Sequence, residues 1–299
     1  MKYRALGWTF VACLVPVLAH AHSGGAEELI GWTLDPWVVT PLLLAGAAYA
    51  IGVTALWRRA GTGRGVRGWH VVAYATGWSA LTGALVSPLH AIGEQLFTAH
   101  MVEHEIVMAV AAPLLVLARP AAVFLWAWPN PLRQGIARAA RHHSSRAVWR
   151  LATAPVAATV LHGAAIWIWH APVLFDAAVT HLVLHRLQHL SFLLTALLFW
   201  WALLRNCGAG AAAGHLFITM THTSLLGALL TFAPRVLYRV QTVHAGDWGL
   251  TPIQDQQLAG LVMWLPAGTI YAGAALGFAA LWIARSANAW EAGNATRRP

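Results

Sequence analysis

Charge is scarce in this chain of 299 residues: 10% of positions are Asp, Glu, Lys or Arg, and only 10 are acidic. A soluble globular domain carries about a quarter charged residues. So little charge beside 59% hydrophobic residues excludes that class and points to an integral membrane protein. Cysteine is almost missing too, with Cys13 and Cys207 alone. That excludes a disulfide framework in the mature chain and takes thiolate away from any metal site on the outer side. The formal net charge is +9, but the arginines lie between apolar runs rather than along one polar face. The excess therefore reports orientation in a bilayer and no nucleic-acid partner. No internal repeat and no second, soluble domain is apparent.

What the sequence has in abundance is apolar runs. Lys2 and Arg4 precede an apolar stretch from Ala5 to Ala19, and Ala19-His20-Ala21 has the small-x-small form of a cleavage site, so residues 1–21 read as a signal peptide. Residues 22–36 follow as a short periplasmic segment. Runs long enough to span a hydrocarbon core of about 30 Å then occur near 37–57, 68–88, 97–118, 151–170, 181–204, 213–233 and 257–284. They predict an all-α fold: a polytopic integral membrane protein with a seven-transmembrane-helix bundle over 37–285 and a cytoplasmic tail at 286–299. The stretch 119–150, with Pro120, Pro129 and Pro131 ahead of RQGIARAARHHSSR, reads as a basic cytoplasmic loop along the membrane surface.

With the mature N-terminus outside, four arginines between 58 and 67, six between 119 and 150, Arg205, and three from 285 onward all fall inside, against Arg235 and Arg239 in outer loops. This satisfies the positive-inside rule and predicts a bacterial-type inner (plasma) membrane protein with a periplasmic N-terminus and a cytoplasmic C-terminus. The same orientation sorts the 16 histidines by depth. His90, His100, His104, His170, His181, His185 and His189 fall in the outer half, His162 and His222 near mid-membrane, and His70 and His215 near the inner face. Polar side chains in a span face the bundle interior or a wet cavity, so the outer cluster is a functional candidate.

In HLVLHRLQH, residues 181–189, His181, His185 and His189 recur every fourth position and would form one stripe on a helix. HMVEHEIVM puts His100, Glu103 and His104 on one helical face, with Met101, Glu105 and Met108 further round. The H-E-x-x-H order of a zinc protease is not there. Imidazole suits copper, zinc, iron and nickel, and the thioether of Met101 would favour Cu(I). Arg186, about 100° round from His185, is expected to pair with Glu103, Asp176 or Glu105, or to reach outward.

Three segments, FTAHMVEHEIVMAVAAPLLVLARP at 97–120, WHAPVLFDAAVTHLVLHRLQHLSFLLTALLFWW at 169–201 and DQQLAGLVMWLPAG at 255–268, together resemble the CtaG family of cytochrome c oxidase (caa-type) assembly factors. The resemblance implies a non-enzymatic role in assembling the terminal oxidase, with copper supplied or positioned on the outer side. Carried over by position, it marks His100, His104, His170, Asp176, His181, His185, His189, Asp255 and Gln256. The expected partners are oxidase subunits, the lipid bilayer and a periplasmic copper donor.

The expected metal site is therefore His100, His104, His181, His185 and His189 between the third and fifth spans, with His170 and His90 at the mouth. Met101 is a further donor, and Glu103, Asp176, Arg186, His222, Asp255 and Gln256 are supporting polar groups. Three other readings stand beside it: a membrane cytochrome with histidine-ligated b-type haem, a copper or proton transporter, and a scaffold whose histidines satisfy one another. A last expectation concerns cleavage after Ala21, which would expose His22 as a terminal amine and imidazole able to chelate copper over the cavity mouth.

Overall fold

A computed structural model describes residues 31–295, and the described residues are helical with no strand. The expected signal peptide, Cys13 and His22 lie outside the described residues. Among the described residues, five helices are long and apolar enough to cross a membrane: α1 (Pro36–Ala60), the run Phe97–Leu117, α11 (Leu182–Arg205), α12 (Ala209–Thr231) and the first part of α13 (Pro252–Ala295). A sixth is reached if α8 (His143–Ala152) and α9 (Pro155–Trp169), which meet at 64°, count as one broken span. The second run of the sequence forms a 19-residue helix, α2 (Gly68–Val86), that does not join this group.

Helix ends follow local chemistry. Asp35 caps α1 by accepting from the Trp37 N–H at 3.0 Å, with Pro36 in the first turn where its missing N–H does no harm. Gly61, at φ +91°, closes the other end. Ser87 ends α2 and caps the short α3 (Pro88–Gly93). The histidine-bearing third span is α4 (Phe97–Glu105), a π-helical turn over Ile106–Ala111, and α5 (Ala112–Leu117). The π turn leaves one carbonyl without a helical partner. Within it the Ala112 N–H donates to Val107, one residue further back than in an α-helix, and Pro113 has no N–H to offer Met108. The stranded Met108 carbonyl is taken by the Trp200 indole N–H from α11 at 3.0 Å. One extra residue is thereby inserted below His100, Glu103 and His104, which turns their face relative to α5.

The basic stretch becomes three short helices, α6 (Pro120–Trp126), α7 (Asn130–Arg141) and α8, and neither α7 nor α8 has a buried residue. After α9 the chain makes α10 (Pro172–Thr180) before entering α11. One apolar core gathers Phe97, Phe175, Phe192, Phe199, Trp200, Tyr238 and Tyr271; a second gathers Tyr49, Tyr74, Val107 and Val123. Helices α12 and α13 pack backbone to backbone. A Cβ added at Gly260 would stand 2.5 Å from Thr231 Oγ1 and 2.6 Å from the Gly227 carbonyl. Backbone contact of this kind needs glycine on both sides. Gly260→Ala is expected to separate the pair and destabilise the protein by about 1–3 kcal/mol, read as a lower thermal midpoint in detergent. An unchanged midpoint would mean that the helices slide apart freely.

Candidate metal centre

The π-shifted face of α4 meets α11 and α3 to form a histidine cluster. His100 and His104 stack as an edge pair with ring centres 4.2 Å apart. His104 lies 4.9 Å from His189, His189 lies 4.6 Å from His185, and His100 lies 5.6 Å from His185. His90 on α3 completes the group at 5.5 Å from His185. Glu103, fully buried, is its anion: Oε1 is 2.8 Å from His90 Nδ1 and 3.6 Å from His189 Nε2. One ligand atom from each of His90, Glu103 and His189 falls within 4.8 Å of the others. Burial works to lower the pKa of His90, but the Glu103 hydrogen bond and charge, with Glu94 and Asp35 behind them, outweigh it and hold it above the ordinary histidine value.

His170 ends α9 and is buried beside the cluster. Its Nδ1 lies 2.7 Å from the Ile166 carbonyl, and the Tyr238 hydroxyl donates to its own carbonyl at 2.6 Å. The nitrogens His100 Nε2, His104 Nδ1 and Nε2, His170 Nε2 and His189 Nδ1, and Glu103 Oε2, are buried without a protein hydrogen-bond partner. Buried polar atoms in proteins are paired almost throughout, so six such atoms in one cluster call for a ligand or water. The cluster is reached sideways. A cavity of about 290 Å³ between α1, α2 and α11 has His90, His185 and His189 on its polar side and Val38, Leu42, Leu81 and Leu190 among its apolar walls.

Five expected ligands, His90, His100, His104, His185 and His189, thus come together, with His170 alongside. Other expectations are corrected. His181 stands apart: it is the N-cap of α11, with φ −124° and ψ 109°, and is exposed. The four-residue ladder holds only within a helix, and α11 begins at Leu182. Met101 turns away into the apolar core. Arg186 pairs with none of the expected acids. Its guanidinium holds Asp35 at 2.8 and 2.9 Å on the cavity rim, because its position on α11 points it at the start of α1. Asp176 is on α10, outside the spans, where burial raises its pKa. His222 accepts from the Trp167 indole at 3.4 Å, on the α9–α12 side. Asp255 and Gln256 serve the backbone: Asp255 caps α4, and Gln256 accepts from the Leu237 N–H at 2.6 Å.

Residues missed in the sequence roof the site. Gln241 donates to the Gly93 carbonyl at 2.7 Å and Tyr238 packs on Phe97 and Phe175. Both belong to the irregular link between α12 and α13, which has no periodicity to betray it. Gln188, fully buried on α11 with neither amide atom partnered, had a signal: it is three residues from His185 and so shares its face.

Comparison with known proteins agrees with the family resemblance carried by the three sequence segments. Residues 47–285 match the cytochrome c oxidase caa3 assembly factor (Caa3_CtaG) family. The chain belongs to that family. It is also 29% identical over 258 residues to uncharacterized proteins of Mycobacterium bovis and Mycobacterium tuberculosis, covering 80% of this chain and 37% of each of theirs. An uncharacterized protein of Mycobacterium leprae is 27% identical over 248 residues, 78% of this chain and 36% of its own. The chain thus spans little more than a third of the length of these relatives. No solved structure matches it. Membership of that family accords with the five described helices that are long and apolar enough to cross a membrane.

Proposed function

We propose that this assembly factor binds copper in the histidine cluster on the outer side of the membrane and passes it to an oxidase subunit. The observation that carries the reading is the set of imidazole nitrogens of His100, His104, His170 and His189, buried and lacking protein partners beside the His90–Glu103 pair. The donors fit the cargo. Imidazole binds both copper oxidation states, and the Ile166 carbonyl orients His170 as outer-shell acceptors orient metal-bound histidines. Closely spaced imidazoles would let an ion leave one ligand while entering the next, so transfer needs no bare intermediate. The protein acts as a chaperone and makes no covalent change to its cargo.

In the bilayer we place seven crossings, counting α2 and the bent α8–α9 pair, in a bacterial plasma membrane, with the N-terminus periplasmic. The arginines of α7 and α8 support that orientation, since no acidic residue lies between Glu105 and Asp176 to neutralise them on the inner face. A periplasmic copper donor would load the cluster from outside. A b-type haem is less well supported, because the imidazoles pack against one another and against Phe175 and Phe192.

The test combines metal analysis of the purified protein with the copper content of the oxidase in cells lacking it. Copper in the protein and a copper-deficient oxidase in the deletion strain are expected. A protein that takes up no copper, beside an oxidase with its full complement, would overturn the reading.

A further inference from the structure

A buried carboxylate stands among the imidazoles with one oxygen to spare. Glu103 Oε1 is 2.8 Å from His90 Nδ1 and 3.6 Å from His189 Nε2, while Oε2 is buried without a protein partner. One ligand atom from each of the three residues lies within 4.8 Å of the other two. Metal–nitrogen and metal–oxygen bonds of about 2.0–2.2 Å put neighbouring ligands of a tetrahedral ion about 3.3–3.6 Å apart. The two contacts to Oε1 already stand close to that spacing, so small side-chain shifts admit an ion.

The kind of donor selects the kind of ion. Monovalent copper favours thioether and thiolate, whereas carboxylate oxygen suits harder, divalent ions. The soft donors of the chain are turned elsewhere: Met101 and Met108 lie in the apolar core, and Cys207 follows the far end of α11 from His189. Two imidazoles and one carboxylate make a divalent site that keeps a fourth position open. Among the divalent first-row metals, copper is held most tightly by such ligands. His90 and His189 stand on the wall of the side cavity, their side chains 13% and 11% exposed.

We propose that His90, Glu103 and His189 form a three-ligand site for a divalent ion, so that the copper this protein carries is Cu(II), with the fourth position open to the side cavity. The inference rests on the copper-binding reading and deepens it by naming the ligands and the oxidation state. The ion takes the place of the proton between His90 and Glu103, and the carboxylate cancels one of its two charges in apolar surroundings. An acceptor ligand can attach at the open position before the protein's own ligands let go. His185 lines the same cavity with its Nε2 2.8 Å from His189 Nε2, and is the first imidazole onto which the ion can move. The ring of His104 packs against His189 with centres 4.9 Å apart, so substitution there disturbs a ligand.

The experiment titrates the purified full-length protein in detergent with Cu(II), with Zn(II) and, under anaerobic conditions, with Cu(I) held by a competing chelator. One Cu(II) per chain is expected, displacing Zn(II), bound more tightly than Cu(I), and giving an electron paramagnetic resonance spectrum of mixed nitrogen and oxygen ligation. Glu103→Gln should weaken Cu(II) by at least the roughly hundredfold that loss of an outer-shell partner can cost, and should leave Cu(I) affinity unchanged. If that variant is not recovered folded, the wild-type comparison of Cu(II) with Cu(I) decides alone. Tighter binding of Cu(I) than of Cu(II) would overturn the divalent assignment while leaving copper binding intact. So would a folded Glu103→Gln protein with wild-type Cu(II) affinity. Wild-type protein that takes up neither state of copper would remove the copper-binding reading itself.

Discussion

Asp255→Ala should leave little folded protein. The Asp255 carboxylate is fully buried and reaches across 157–158 residues of sequence to accept from the Phe97 N–H at 2.8 Å, the Thr98 N–H at 2.9 Å and the Thr98 hydroxyl at 2.7 Å. It therefore satisfies the first orphan donors of α4 and places a negative charge at the positive end of that helix. Hydrogen bonds to a charged group contribute about 1.5–3 kcal/mol each, and the three share one carboxylate. Their joint loss should cost on the order of 4 kcal/mol against a typical total of about 5–15 kcal/mol. The readout is the yield of monodisperse protein and its thermal midpoint. Asp255→Asn, which keeps one accepting oxygen, should fall between alanine and wild type. An alanine variant as stable as wild type would mean that α4 is held by its apolar packing alone, and that Asp255 is free for some other role. The cap bears directly on the cluster, because His100 sits in the first turn that it anchors.

The second large effect has the opposite sign for stability. His104→Leu should stabilise the metal-free protein by about 1–3 kcal/mol while abolishing copper uptake. Both ring nitrogens of His104 are buried without a protein partner, and an unpaired buried polar group costs about 1–3 kcal/mol. Leucine is of similar size and would keep the contact with Phe192. Stability gained at the expense of a binding site is the ordinary trade-off. Thermal unfolding of metal-free wild type and variant, followed by a copper titration of each, reads both halves. A destabilised variant would instead make His104 a working member of a packed polar scaffold, and copper uptake unchanged by the substitution would place the ion elsewhere.

The face of α4 was legible in the sequence because it depends on one helix only. The spacing of His100, Glu103 and His104 puts them together whatever surrounds them, and His185 and His189 share a side of α11 for the same reason. His181 shows where that logic stops: the period is a property of a continuous helix, and no residue in THLVLH announces the break between α10 and α11. Arg186 was misassigned because its partner, Asp35, belongs to a turn 151 residues away, and nothing local records that α1 begins beside α11. Asp255 and Gln256 were marked through family resemblance, yet their geometry is that of caps and clamps.

Composition and period by themselves determined the class of solvent, the all-helical fold, and two histidine faces of the cluster, since each follows from burying apolar side chains at a fixed angle per residue. The tertiary structure alone decided which histidines meet, that Glu103 is their buried counter-charge, that His90 and His170 join from α3 and α9, and that access is from the side between α1, α2 and α11. Those features depend on how helices far apart in sequence are turned toward one another. That turning is set by particulars such as the π turn before Pro113, the Gly227–Gly260 contact and the Asp255 cap, none of which has a periodic signature.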